Sequence, residues 1–325
     1  NAQGGVGIAY NASLVNIDIG TDPTPLNPGG LFLSAAVLNY RNDAIDIYNM
    51  SLGEAIDGRN YAPLDPSLVF ALRTAIRFGR PDANGVPLGN IFVVSSGNDG
   101  GTNFLDEGFG ISGNWDSANY SGLVSSRYTI GVGAVDHDGT INNADGSRTT
   151  YPENGSSVLV VAPTGSVSLD VGLDTGIGSG IWTTDLTGNA GYNSAGAVDG
   201  DFLADTNYTS RFNGTSAAAP MVSAVIALML EANPNLSYRD VQEILVRSAR
   251  QNDPTNESWQ TNLFESWERP ATAMGIPIED AFIRSDIPRG FPSNVTTVLG
   301  AKPIDNYGLY QQWGRLHSQR CTRAL

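Results

Sequence analysis

"RFNGTSAAAPMVSAVIALMLEANPNL", residues 211–236, places a glycine, two hydroxyl residues and three alanines in front of a long apolar run. Residues 221–230 are apolar on nearly every side, which predicts a helix buried on all faces at the centre of a layered protein. Ser216 stands where the small residues give way to that helix. A serine there is most often a cap. The small Ala217, Ala218 and Ala219 also let another group approach the helix start closely. The positive end of a buried helix stabilises negative charge developing beside a hydroxyl. Ser216 is therefore either a cap or a nucleophile mounted on the first turn.

Working outward, short apolar runs alternate with helical patterns. "ASLVNIDIG" (12–20) alternates with period two, and "AIDIYNMSL" (44–52), "IFVVSSG" (91–97), "YTIGVGAV" (128–135) and "VLVVAP" (158–163) follow. All are expected strands, rich in Val and Ile and closed by Gly, Ser or Pro. "DPSLVFALRTAIRFGR" (65–80) reads as a helix capped by Asp65, with Pro66 in the first turn, Val69, Leu72 and Ile76 on one face, and Gly79 at its end. "NLSYRDVQEILVRSAR" (235–250) offers Ser237 and Asp240 as a capping box and Val241, Ile244 and Leu245 as a buried stripe. Strands alternating with helices predict an α/β protein built on a parallel sheet. Residues 99–127 and 164–213 are too long and polar for plain connections, so they are expected to be functional loops or insertions. Residues 286–325 show no clear period, and no internal repeat is found.

The chain has 325 residues, 33 acidic and 18 basic, for a net charge of −15. Such a surface repels nucleic acid and anionic membranes and suits cations or basic peptides. Lys302 is the single lysine, and Cys321 is the single cysteine, so no internal disulfide forms. No long uninterrupted apolar run points to a membrane span.

A second feature ends a strand. "IFVVSSGNDGG" carries an apolar run into Asn98, and ligands of open α/β sheets bind at the carboxyl ends of strands. "IDIYNMSLG" delivers Ser51, Leu52 and Gly53 to the same edge.

"SLG" (51–53), "SSGNDGG" (95–101), "VGAVDHDG" (132–139), "GTSAAAP" (214–220) and "ANPNLSYRDVQEIL" (232–245), in that order along the chain, resemble the subtilisin-like serine proteases, and their kexin/furin branch in particular. The resemblance spans roughly residues 1–250. It implies a seven-stranded, mostly parallel sheet flanked by helices. Residues 1–285 are the expected catalytic domain, with 286–325 a tail of unassigned role.

The resemblance also implies a mechanism. Ser216 is the expected nucleophile, forming an acyl-enzyme with a peptide carbonyl. The Asn98 carboxamide and the Ser216 backbone N–H form the oxyanion hole. Ser51, Leu52 and Gly53, with Gly113 and Asp116, flank the substrate and its side-chain pocket. The family's general-base histidine and its aspartate are expected upstream of Asn1. Without them the chain alone is expected to be nearly inert, and its own N-terminal fragment or propeptide is an expected partner beside the peptide substrate. The alternative is a pseudoprotease acting as a binding or scaffold module. Of the two histidines, His137 belongs to an expected turn and His317 to the tail, and neither is expected to be the base.

Kexin-like enzymes cut after basic residues, using an acidic pocket. Here Ile56, with Asp57 beside it, stands where an acid is expected, and Leu52 replaces the usual tryptophan. Asp116 is retained. Basic and apolar specificity both stay open. The resemblance further implies calcium, with Asn1, Gln3 and Gly5 in one site and Glu153 in another; hard oxygen ligands suit that ion. Solvated carboxylate is the other reading of Glu153. "DTG" at Asp174–Gly176 mimics an aspartic-protease signature but has no second lobe beside it. Secretion or periplasmic export is expected on the same family grounds.

Overall fold

The computed structural model describes residues 7–17, 19, 33–53, 61–100, 117–135, 151–153, 155–165, 180–194, 201 and 203–252. Four strands, β1 (Ile47–Met50), β2 (Ile91–Ser95), β3 (Thr129–Val135) and β4 (Val158–Pro163), form a sheet in the order β1-β2-β3-β4. Every neighbouring pair is parallel. Each was an expected strand. The run at 12–20 differs: residues 12–17 and 19 are not in a strand, and Leu14 is 94% exposed. Alternation supplies a sheet-facing side only where a neighbour offers its backbone, and here Leu14 and Val15 face solvent.

The sheet is covered on both faces. In β2, Phe92 and Val94 face one way with Tyr48 and Met50, against Leu38, Ala71, Leu72 and Ala75 of helices α1 (Ala35–Leu38) and α2 (Pro66–Phe78). Ile91 and Val93 face the other way, with Ile130, Val132, Val160 and Ala162, against α3 (Thr215–Ala232) and α4 (Tyr238–Ser248). A strand buried on both sides has no polar alternation, which is why "IFVVS" reads as a continuous apolar run.

Helix α2 has the expected Asp65 cap, whose side chain accepts the Ser67 N–H at 2.7 Å. Its buried stripe is Leu68, Ala71, Leu72 and Ala75 rather than one through Val69, which is exposed. That i, i+3, i+4, i+7 set is the one α1 and the sheet cover, and Val69 lies about 100° around the helix from Leu68. Helix α4 forms the Ser237–Asp240 capping box in full. It buries Val241 and Leu245 as expected, and Gln242 as well, whose amide donates to the Thr129 carbonyl at 3.3 Å.

Helix α3 lies across the sheet with Ala217, Ala218, Ala219, Val222 and Ile226 buried. Contrary to expectation it is not buried all round: Val225 and Leu228 are 41% and 42% exposed. At 18 residues and a mean hydropathy of 1.5 it is also long and apolar enough to cross a membrane. Ala218, Ala219, Val222 and Ile226 instead sit in the second core cluster, as in the core helix of a layered domain.

Within the expected loop at 164–213, β5 (Ile181–Thr184) and β6 (Tyr208–Phe212) form an antiparallel ribbon. Side chains staple it. The Asn193 amide donates to the carbonyls of Leu203, Asp205 and Tyr208, and Asp201 accepts from Thr209 Oγ1, Ser210 Oγ and the Ser210 N–H. Strand β6 then runs by Asn213 and Gly214 into α3, so the ribbon aims the chain at the helix start.

Candidate active site

Strand β1 ends at Met50 and β2 at Ser95, so Ser51 and Asn98 both follow carboxyl ends of adjacent parallel strands. The N-terminus of α3 meets them there. Its N-cap is Gly214, with no side-chain cap bond. Ser216 is the second residue of the helix and is half-buried. Capping is therefore excluded as the role of Ser216, because a cap residue precedes the helix and lends its oxygen to the N2 or N3 amide.

Gly214 makes this entry possible. Its φ of +86° is a conformation that residues with a Cβ rarely adopt. A Cβ there would meet the Asn98 amide only at an ordinary contact distance of 3.4 Å, so the backbone conformation, not space, calls for glycine. Thr164 Oγ1 donates to the Gly214 carbonyl at 3.1 Å and fixes the turn from beneath.

Asn98 reaches the helix start directly. Its Oδ1 accepts the Thr215 N–H at 2.9 Å and bonds Thr215 Oγ1 at 3.0 Å. Thr215 is fully buried, and its hydroxyl also bonds the N–H and the carbonyl of Gly97, at 3.3 and 3.2 Å. The β2 terminus and the α3 terminus are thus clamped through one threonine. Sequence reasoning passed over Thr215, whose partners lie 117 and 118 positions away and leave no local signal. Ser51 Oγ donates to the Ser216 carbonyl at 2.9 Å, and Leu52 packs partly buried against the first core cluster.

Glu153 is buried, and its carboxylate lies against Gly97, where an added Cβ would fall 2.0 Å from Oε1. Its backbone N–H donates to the Gly97 carbonyl at 3.1 Å, and Oε1 accepts the Asp99 N–H at 3.4 Å. The solvated reading of Glu153 is thereby corrected. A calcium ion takes about 6–8 oxygens. Among the described residues no group of three or more His, Cys, Asp or Glu gathers, so those residues do not make such a site by themselves. Asn1, Gln3, Gly5, Ile56, Asp57, Gly113, Asp116, His137, Asp174–Gly176, His317 and the 286–325 tail lie outside the described residues.

Chemically, the arrangement joins a half-buried hydroxyl, a helix N-terminus and a carboxamide whose oxygen is already engaged. With the oxygen held by Thr215, the Asn98 nitrogen keeps its two hydrogens for another acceptor.

Comparison with known proteins agrees with this geometry. The model of the subtilase family of peptidases matches residues 1–265. A PC3-like endoprotease (variant B) of Hydra vulgaris is 30% identical over 313 residues, covering 88% of this chain and 36% of its own length. The protease KEX1 of Kluyveromyces lactis is 32% identical over 256 residues, covering 79% of this chain and 26% of its own. The chain thus spans about a third or less of the length of these relatives. Among solved structures, a Pseudoalteromonas arctica protease superposes with a TM-score of 0.51 at 23% identity, covering 77% of this chain and 60% of that one, which supports the same fold.

Proposed function

Because the chain belongs to the subtilase family, in its kexin-like branch, we propose that it is a serine endopeptidase with Ser216 as nucleophile and Asn98 in the oxyanion hole. The observation that carries this reading is the clamp of Asn98 Oδ1 by the Thr215 N–H at 2.9 Å, one residue before Ser216. In this reading Ser216 Oγ attacks the peptide carbonyl carbon and its proton passes to a general base. The carbonyl oxygen becomes an oxyanion, held by Asn98 Nδ2–H and the Ser216 N–H at the positive end of α3. Collapse expels the amine, which takes the proton back from the base, and leaves an acyl-enzyme, which water then hydrolyses. Neither histidine lies among the described residues, and neither is assigned the base.

Labelling with a fluorophosphonate tests the reading. The full-length protein is expected to be labelled at Ser216, mapped by peptide mass spectrometry, and Ser216→Ala to be unlabelled. A folded full-length protein that takes no label would make the site a binding module instead.

The substrate is a peptide or protein, and the N-terminal fragment or propeptide is the proposed partner, in the secretory pathway or outside the cell. A peptide library separates cleavage after arginine or lysine from cleavage after apolar residues. Calcium, with Glu153 among its ligands, is proposed for structure rather than chemistry. Chelation is then expected to lower the thermal midpoint of the native protein by more than that of Glu153→Gln, which lacks one of the two expected sites.

A further inference from the structure

Pro220 sits inside α3, four residues after Ser216. A helical carbonyl accepts the N–H of the residue four ahead, and proline has none. The Ser216 carbonyl is therefore left without its helical partner by the sequence itself. Ser51 supplies the missing donor: its hydroxyl donates to the Ser216 carbonyl at 2.9 Å.

The polarity of that bond is set from behind. Asn49 Nδ2 donates to Ser51 Oγ at 3.0 Å. An amide nitrogen only donates, so Ser51 accepts there and its own hydrogen is free for the Ser216 carbonyl. Asn49 Oδ1 in turn accepts from Ser223 Oγ at 2.9 Å, nearer than that hydroxyl's other acceptor, the Ala219 carbonyl at 3.2 Å, which anchors the amide to the third turn of α3. Asn49 and Ser51 are two residues apart at the end of β1, so their side chains leave the same face of the strand. The path runs from α3 to the strand edge and back to the residue that bears the candidate nucleophile.

We propose that Asn49 and Ser223 are positioning residues. Through Ser51 they replace the hydrogen bond that Pro220 removes, and so hold the backbone of Ser216 in the geometry its hydroxyl needs. Ser51 acts here through its side chain on Ser216, beside any backbone contact it makes with substrate. The inference rests on Ser216 being the nucleophile.

The test uses the full-length protein and the concentration dependence of fluorophosphonate labelling, which separates the limiting rate from the half-saturating concentration. Asn49→Ala, Ser51→Ala and Ser223→Ala are each expected to lower the limiting rate by about three- to tenfold, the scale of one hydrogen bond, with the half-saturating concentration unchanged. Asn49→Ala should add nothing in a Ser51→Ala background, because both act on the same bond. Ser223→Thr, which keeps the hydroxyl, should label at close to the native rate. Pro220→Ala restores an N–H for the Ser216 carbonyl, so Ser51→Ala should cost little in that background. If Ser51→Ala does not fold, Asn49→Ala and Ser223→Ala carry the test, each checked by circular dichroism. Native limiting rates in those two variants would overturn the positioning role while leaving Ser216 labelled. An undiminished Ser51→Ala effect alongside Pro220→Ala would do the same. Absence of label on the native protein would remove the nucleophile and this inference together.

Discussion

Thr215 donates its backbone N–H to the carboxamide oxygen of Asn98 at 2.9 Å, although the two residues are 117 positions apart in the chain. That bond decides which end of the carboxamide is free. The oxygen is spent on Thr215, so the nitrogen is the end left for an oxyanion in the proposed mechanism.

Asn98→Asp separates the two ends. A carboxylate still accepts from Thr215 but has no hydrogen to give an oxyanion. Hydrolysis or labelling at Ser216 should therefore fall by about 10²–10³, a range set in part by subtilisin, a relative. The thermal midpoint should stay near the native one. A variant that keeps most of its rate would remove Asn98 from the oxyanion hole.

Thr215→Val tests the clamp beneath. Valine keeps the shape and loses the hydroxyl that bonds the Gly97 N–H, the Gly97 carbonyl and Asn98 Oδ1. Leaving the half-buried Gly97 N–H without that acceptor should cost about 1 kcal/mol, read by denaturant unfolding. Thr215→Ser, which retains the hydroxyl, should recover most of it. Equal stability in both variants would mean that the β2 and α3 termini are held together by other contacts.

Gly97 is constrained twice. Its φ is +114°, and a Cβ would fall 2.0 Å from Glu153 Oε1. Gly97→Ala should lower stability by roughly 1–3 kcal/mol from backbone strain alone. Displacement of the Glu153 carboxylate should add to it. In a Glu153→Ala background the collision is gone and only the strain remains. The cost of Gly97→Ala should then be smaller there, as measured by thermal unfolding of all four proteins of the cycle. An equal cost in both backgrounds would show that the two residues do not press on each other.

The layers were legible because their signals are local. "IFVVS" is apolar throughout since both faces of β2 are buried, and the Ser237–Asp240 box lies within one turn of α4. The meeting of Asn98 with the start of α3 was suggested by ordered motifs, not by periodicity. What stayed hidden depends on packing across long separations. Thr215 has no local signature for contacts with Gly97 and Asn98. Burial of one face of α3 but not of Val225 and Leu228 is set by which neighbours cover the helix. The ribbon of β5 and β6 was hidden because polar staples hold it. Asn193 and Asp201 look like loop residues until their partners are placed around them.

Asp201 makes that ribbon sensitive to acid. Burial works to raise its pKa, but hydrogen bonds from the Leu203 N–H, the Ser210 hydroxyl and N–H, and the Thr209 hydroxyl outweigh it, and the carboxyl is held below the ordinary 3.8. A carboxyl with a depressed folded pKa lends stability that is complete above its unfolded value and disappears as pH falls through the folded one. The contribution should therefore be constant from neutral pH down to about 3.8 and shrink below it. Asp201→Asn removes the charge at every pH and turns an amide nitrogen towards donors. It should melt below the native protein at neutral pH, with the gap closing only in strong acid. Because β6 leads by Asn213 and Gly214 into Thr215, the same acid range should also lower labelling at Ser216 in the native protein. A gap between the two melting curves that stays constant into strong acid would show that Asp201 does not carry the acid sensitivity of the ribbon.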